Sequence, residues 1–262
     1  PLLQSLVAGS DVEAWLSRRS NRWNQGRDLS PLVLRVTADF ILERDARLVD
    51  KHIVGDKSPS SLLHGDAVNL MHKVFPEARL IYIVRDGRDA VVSHRFQSFI
   101  DASQHLKKED LAIREAFQRN PKLYLQGKQS IFTPSGFRRS VEGWVKNVTE
   151  TEQLGKELYD EHYVSLRYED LLLRPFEEMS RLWKFLGADL DYPELRESVG
   201  EELQQNPDAD WQREKAGDLI EPLKKGKAGS WQDLFTSAER KVFKKIAGQT
   251  LIDWGYEKDL DW

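Results

Sequence analysis

Apolar residues follow two different patterns along the chain, and each pattern predicts a different element. Helical spacing covers residues 2–7, 12–19, 30–48, 67–74, 137–158 and 237–251. Short continuous apolar runs, which are typical of buried parallel strands, cover His52–Val54, Leu80–Val84 and Tyr163–Leu166. Because the runs are separated by helical segments, the sequence predicts an α/β fold with a mainly parallel central sheet flanked by helices.

The segment Ser98–Thr133 fits neither pattern, since it is polar, charged and without a single period. We expect it to be an insertion or a lid. The chain shows no internal repeat and no clear linker, so we expect a single domain over residues 1–262.

Composition excludes several classes of function but does not identify one. The 262 residues carry a formal net charge of −4, which excludes a generic basic nucleic-acid coat. The absence of cysteine excludes a disulfide scaffold, a cysteine nucleophile and a thiolate metal site, and no histidine pair has the spacing of a metal site. No apolar run approaches the ~18 residues of a membrane span. Any anion site must therefore be built locally.

Charged and hydroxyl residues follow each predicted strand. Ligands of open α/β sheets bind beyond the carboxyl ends of the strands, so these residues predict an anion site. They are Lys57 and Ser58 after the first run, Arg85 and Ser93 after the second, and Tyr168 and Glu169 after the third.

The second strand end carries the most chemistry. Gly87 permits a tight turn, and the helix after it presents unpaired N–H groups and the positive end of its dipole. Arg85 offers a planar fork suited to a phosphate monoester, and Ser93 adds a hydroxyl about one turn further on. The alternative is a salt-bridged turn with Asp89 as the helix cap, and Tyr168 can equally be a residue at the edge of the core.

Ordered segments of the chain resemble the core of the sulfotransferases, which use 3′-phosphoadenosine 5′-phosphosulfate (PAPS) as donor. The resemblance implies a three-layer fold like that of the P-loop proteins. It rests on Gly55–Pro59, Phe75–Ser93, Leu166–Leu171, Pro175–Gly187 and Lys224–Trp231.

The resemblance also implies roles for individual residues. Two separate segments would clamp the 3′-phosphate of the donor, and an aromatic side chain would contact the adenine edge. The phosphate ligands would be Arg85, Ser93, Lys224, Lys225 and Gly226, and the adenine contact would be Tyr168.

Two features depart from the family pattern. The loop that holds the 5′-phosphosulfate is not found in residues 1–50, and Leu2–Leu6 looks like the helix that follows it, so we expect an incomplete N-terminus. Pro59 stands where small-molecule members carry histidine, whereas Asp56 matches the acidic residue of carbohydrate-modifying members. We expect Asp56 or, next, His64 to be the general base, with Lys57 stabilising the transferring group. Asp56 is equally a candidate for a helix cap or an ion-pair partner.

The resulting hypothesis is an enzyme that moves a sulfuryl group from PAPS to a hydroxyl of a small-molecule, carbohydrate or carrier-bound acceptor, without a metal. The product nucleotide would be 3′,5′-adenosine bisphosphate (PAP). We expect a cytoplasmic protein that binds no nucleic acid. The alternatives are a nucleotide-dependent phosphoryl transferase and a degenerate, non-catalytic binding module.

Overall fold

The structure is a computed structural model that describes residues 30–48, 53–57, 65–101, 106–188, 197, 199–201 and 229–262. The chain divides into two compact units, Pro1–Leu80 with Gln153–Tyr163, and Ile81–Glu152 with Val164–Trp262. The helices and strands are α1 (Ser30–Leu48), α2 (Gly65–Val74), β1 (Leu80–Val84), α3 (Gly87–Asp101), α4 (Lys108–Arg119), α5 (Pro121–Tyr124), α6 (Pro134–Tyr159), β2 (Tyr163–Arg167), α7 (Tyr168–Leu173), α8 (Pro175–Leu186), α9 (Trp231–Leu234) and α10 (Ser237–Asp253).

Local sequence signals explain where several helices begin and end. Pro175 occupies the first turn of α8, where its missing N–H costs nothing, and Gly187 ends that helix with a φ of 75°. Thr236 and Glu239 form a reciprocal capping box at the start of α10. The helices predicted over 30–48, 67–74, 137–158 and 237–251 are confirmed within a few residues.

Strands β1 and β2 pair directly in a small parallel sheet. Their carboxyl ends lie together, because the N–H of Asp86 after β1 donates to the carboxylate of Glu169 after β2 at 3.0 Å. Tyr82 and Val84 are buried on one face of β1, whereas Ile83 on the other face is 47% exposed. The described chain is thus a mostly helical α/β fold, as the strand–helix pattern predicts.

The predicted first strand is wrong over its described part. Residues 53–57 form neither helix nor strand, and Ile53 and Val54 are 55% and 39% exposed. His52 lies outside the described residues. A run of three apolar residues offers few ladder hydrogen bonds, and these two side chains are not covered as a buried strand requires.

In the first unit, Arg35 joins α1 to the end of α2. Its guanidinium donates to the Val74 carbonyl at 3.3 Å and to Asp39 at 3.2 Å, and it also pairs with Glu77. The same guanidinium lies 4.9 Å from the centroid of the Phe75 ring. These contacts fix one end of α2 by charge and by stacking.

The second unit is built around a cluster of buried aromatic rings. Neighbouring rings meet edge to face, as Phe96 does with Phe117 at 5.2 Å between centroids. The segment 98–133 contributes to this cluster through α4, α5 and the turn after them, so its described aromatic side chains pack in the core. The rings of the cluster include Phe96, Phe99, Phe117, Tyr124, Phe132, Phe137, Trp231, Phe235 and Phe243.

Within the described residues, no helix is both long and apolar enough to cross a membrane. The same residues include no group of three or more histidine and acidic side chains that could hold a metal ion.

Candidate functional site

Arg85 lies directly after β1, and its side chain reaches the start of α7. The Nε atom is buried and has no hydrogen-bond partner among the described residues. The guanidinium lies 5.4 Å from the centroid of the Tyr168 ring, which is the first residue of α7 and directly follows β2. The structure therefore brings together two residues that the sequence assigns to one ligand. A buried guanidinium N–H without a partner is ready to bind an anion.

Three residues after Arg85, the guanidinium of a second arginine is bound by other side chains of the protein. Arg88 pairs with both oxygens of Asp86, at 2.6 Å for Nη2, and also with Glu257. Its guanidinium lies 4.2 Å from the ring centroid of Trp231 and 4.5 Å from that of Trp262. Arg88 is therefore a structural residue, which joins the turn after β1 to the C-terminal segment.

Gly87 allows this turn to lie directly against α6. A Cβ at position 87 would lie 2.5 Å from the indole ring of Trp144. The first helical turn of α3 therefore packs against a rigid aromatic face. The backbone N–H of Arg88 in this turn donates to the Asp86 carboxylate at 2.9 Å.

A tyrosine from the C-terminal segment contacts the carboxyl ends of both strands. The Tyr256 hydroxyl lies 3.0 Å from the Val84 carbonyl and 3.0 Å from the Glu169 carboxylate. Burial and the charge of Glu169 raise the pKa of Tyr256, so the hydroxyl keeps its proton and acts as a donor. Glu169 also accepts the Asp86 N–H, so it links both strand ends.

Asp89 does not cap its own helix, as the alternative interpretation of the turn proposed. Its carboxylate accepts hydrogen bonds from the backbone N–H groups of Gly229 at 2.6 Å and Trp231 at 3.1 Å. Burial raises the pKa of this carboxyl, while the two N–H donors and the nearby Arg85 charge oppose the shift. The basic segment Lys224–Trp231 thus ends at the first turn of α3.

Comparison with known proteins gives a family match. A family profile described as "Sulfotransferase domain" matches residues 42–255. The chain belongs to the sulfotransferase family. Its common activity is sulfuryl transfer, so the protein is a transferase by family membership.

Curated relatives match over most of the chain. A "Flavonol sulfotransferase-like" protein of Flaveria bidentis is 23% identical over 89% of this chain and 75% of its own length. A "3-alpha-hydroxysteroid sulfotransferase" of Cavia porcellus is 27% identical over 79% of this chain and 68% of its own length. "Sulfotransferase 4A1" of Mus musculus is 25% identical over 78% of this chain and 59% of its own length.

Three other predicted site residues are exposed. Ser93 is exposed on the second turn of α3, and Asp56 and Lys57 are exposed within residues 53–57. The remaining ones lie outside the described residues. These are His64, Lys224, Lys225 and Gly226.

Sequence reasoning missed the C-terminal residues that contact Arg88 and Glu169 next to this site. Glu257, Tyr256 and Trp262 lie at the C-terminal end, outside any strand end, and their partners Arg88 and Glu169 are distant along the chain. The available signal was the aromatic and acidic composition of the last seven residues, which a solvated tail does not need.

Proposed function

We propose that the protein transfers a sulfuryl group from PAPS to an acceptor hydroxyl. The observation that carries the proposal is the buried Nε of Arg85, which has no partner among the described residues although it lies beside Tyr168. A phosphate oxygen there would satisfy the N–H, and the adenine of the same nucleotide would be near the tyrosine ring. The first turn of α3 adds the positive end of a helix dipole.

The remaining donor ligands in this proposal come from two segments. Ser93 supplies a hydroxyl from α3, and Lys224, Lys225 and Gly226 supply positive charge and a backbone N–H. Support for the second group comes from the end of its segment, where Gly229 and Trp231 bind Asp89 in the same turn as Arg85. A dianionic 3′-phosphate held by several cations would favour PAPS over nucleotides that lack it.

The chemistry proposed is an in-line displacement at sulfur. The acceptor oxygen bonds to sulfur, and the bond from sulfur to the bridging oxygen of the 5′-phosphate breaks with its electron pair on that oxygen. The acceptor proton passes to Asp56, or to His64 if Asp56 acts only in the fold. Lys57 offsets the negative charge on the transferring group. PAP and the sulfated acceptor leave as products.

The acceptor is proposed only by its reacting group. Two relatives are named for a flavonol and for a 3α-hydroxysteroid, and both names describe hydroxyl compounds. We carry over the hydroxyl and no particular skeleton, so small-molecule, carbohydrate and carrier-bound alcohols are all included.

The test is calorimetric titration of the full-length protein with PAP and with 5′-AMP, which lacks the 3′-phosphate. We expect PAP to bind at least about tenfold more tightly, and Arg85→Ala to remove most of that preference. Arg139→Ala, which removes an exposed arginine on α6, is the matched control and should keep it. Equal affinity of the wild-type protein for PAP and 5′-AMP would contradict the proposal.

A further inference from the structure

Four cations lie close together in the first half of α10. They form two pairs with a spacing of four residues, so they lie in two neighbouring rows on the helix surface, with Cβ atoms about 5–6 Å apart along each row. The outer row, Lys241 and Lys245, is exposed, and the inner row, Arg240 and Lys244, is half-buried. We call this surface the basic face of α10. It consists of Arg240, Lys241, Lys244 and Lys245.

The basic face has no counter-charge within the described part of the chain. None of its four side chains forms an ion pair with a described residue. Glu239 is the acid of the same stretch, but it is buried and bonded to Ser130 and Thr236. The Arg240 guanidinium donates to the carbonyl of Gln232, which carries no charge. These contacts therefore leave the positive charge of the face unneutralised.

Helix stability does not account for the placement of these cations. Like charges four residues apart destabilise a helix, and each row of the basic face is such a pair. The helix dipole favours cations in the last turn, but the last turn of α10 holds none. In α8, by contrast, Arg181 pairs with Glu178 three residues away at 3.0 Å. The arrangement in α10 therefore fits a surface that meets an anionic group from outside the helix.

Two indole rings support the inner row of the basic face. The Arg240 guanidinium lies 5.1 Å from the ring centroid of Trp231, and the Lys244 ammonium lies 5.2 Å from that of Trp262. The two rings meet edge to face, with 5.7 Å between their centroids. Cations that already rest on aromatic rings lose less side-chain freedom on binding than free ones do. The inner row is therefore preorganised for a partner.

The charge and shape of the basic face indicate the chemistry of that partner. The face is the convex surface of one helix, so an acidic helix can place carboxylates along it at the same four-residue repeat. A second copy of this chain is disfavoured, because its own basic face would bring cations against cations. A membrane is disfavoured because α10, which the structure describes throughout, exposes no large apolar side chain, whereas helices that lie on membranes insert such side chains.

We propose that the basic face of α10 docks an acidic helix of a partner protein. Carboxylates of that helix pair with both rows of cations, which relieves the repulsion between like charges within α10. The surface is separate from the residues assigned to the donor and the acceptor, so this inference does not depend on the proposed function.

Fluorescence anisotropy of labelled acidic peptides tests the proposal with the full-length protein. The first peptide is an alanine-based helix of about 20 residues with glutamates at four-residue spacing along one face, and the second has the same composition with its glutamates spread around the helix. We expect the first peptide to bind at least about fivefold more tightly, and to lose about tenfold or more in affinity between roughly 20 and 150 mM salt. Equal affinities, or no binding of either peptide, would overturn the proposal.

A matched pair of double variants locates the surface. Lys241→Gln with Lys245→Gln removes the outer row and should weaken binding of the first peptide about fivefold. Lys107→Gln with Lys108→Gln removes two exposed lysines at the start of α4, with the same change in net charge, and should keep the affinity within about twofold. Equal losses in the two double variants would show that net charge alone attracts the peptide, and the proposal would then fail.

Thermal unfolding gives an independent readout of the same variant. Glutamine and lysine have similar helix propensities, and the double substitution at positions 241 and 245 removes a pair of like charges, so its unfolding temperature should equal or exceed that of the wild-type protein. A lower unfolding temperature would mean that these lysines serve the fold, which contradicts the proposal. Tighter binding to vesicles of phosphatidylserine and phosphatidylcholine, or to a DNA duplex, than to the first peptide would assign the face to another partner. Dimerisation that the double variant abolishes, seen by sedimentation, would assign it to a second copy, and each of these results would overturn the proposal.

Discussion

Arg85 and Arg88, three residues apart in the turn after β1, differ in what surrounds them. The Arg88 guanidinium is bound by Asp86 and Glu257 and lies within 4.5 Å of the ring centroids of Trp231 and Trp262. The Nε of Arg85 is buried beside Tyr168 without a described partner. Arg85 therefore has a buried N–H left for a ligand, whereas Arg88 is held by ion pairs within the protein.

Replacing Arg88 tests whether its ion pairs stabilise the folded protein. Arg88→Met keeps most of the side-chain length but leaves Asp86 and Glu257 without their shared cation. Because breaking a buried ion pair leaves an unpaired charge, we expect the free energy of unfolding to fall by about 3 kcal/mol or more. Urea denaturation followed by circular dichroism measures this change.

Arg174→Met is the control for that experiment. Arg174 is 47% exposed and lies 3.4–3.5 Å from the carboxylates of Glu178 and Asp170. An exposed pair of this kind contributes at most about 1 kcal/mol. Equal losses in the two variants would show that the Arg88 cluster is not a buried structural pair.

Sequence reasoning could identify Arg85 and Tyr168 because both follow strands, and the strand ends of a parallel sheet meet at one edge. It gave no role to Arg88 in the same charged turn. The structural role of Arg88 depends on Glu257, which is 169 residues away along the chain. Long-range partners of this kind leave no local pattern.

At the scale of elements, the run Leu80–Val84 predicts β1 to the residue, and the predicted strand Tyr163–Leu166 is one residue shorter than β2. The segment 98–133 could not be assigned, because α4 exposes its charges and buries Phe117 within only three turns. Its contribution to the core depends on rings from α3 and α6, which the local period does not show.

The close approach of α3 and α6 predicts that alanine substitutions at two glycines change the free energy of unfolding in opposite directions. Gly87→Ala would bring a Cβ within 2.5 Å of the Trp144 ring, so we expect a loss of about 1–3 kcal/mol in the free energy of unfolding. Gly143→Ala on α6 meets open space and should instead add about 0.5–1 kcal/mol through better helix propensity. Thermal unfolding of both variants checks the signs, and two changes of the same sign would contradict the packing.

At the scale of the whole molecule, the net charge of −4 includes acidic groups whose pKa values are shifted in opposite directions. Burial raises the pKa of Asp89, whereas the hydrogen bond from Arg167 lowers the pKa of Asp170. The raised group contributes stability that is present at low pH and is lost as the pH rises through its folded pKa. The lowered group contributes stability above its unfolded pKa, which is lost as the pH falls through its folded pKa.

The variant Asp170→Asn measures the contribution of the Asp170–Arg167 pair to stability. Arg167 bonds to both oxygens of Asp170, at 2.6 and 2.8 Å, but is 32% exposed, so solvent screens the pair. We expect the variant to lose about 1 kcal/mol in the free energy of unfolding at pH 7. Because the ionised carboxylate is what Arg167 stabilises, the difference from the wild-type protein should shrink as the pH falls below about 4. Urea unfolding at pH 7, 5, 4 and 3 measures that difference, with the exposed Asp233→Asn as the control. A difference that stays constant down to pH 3 would mean that shape, and not charge, accounts for the contribution of Asp170.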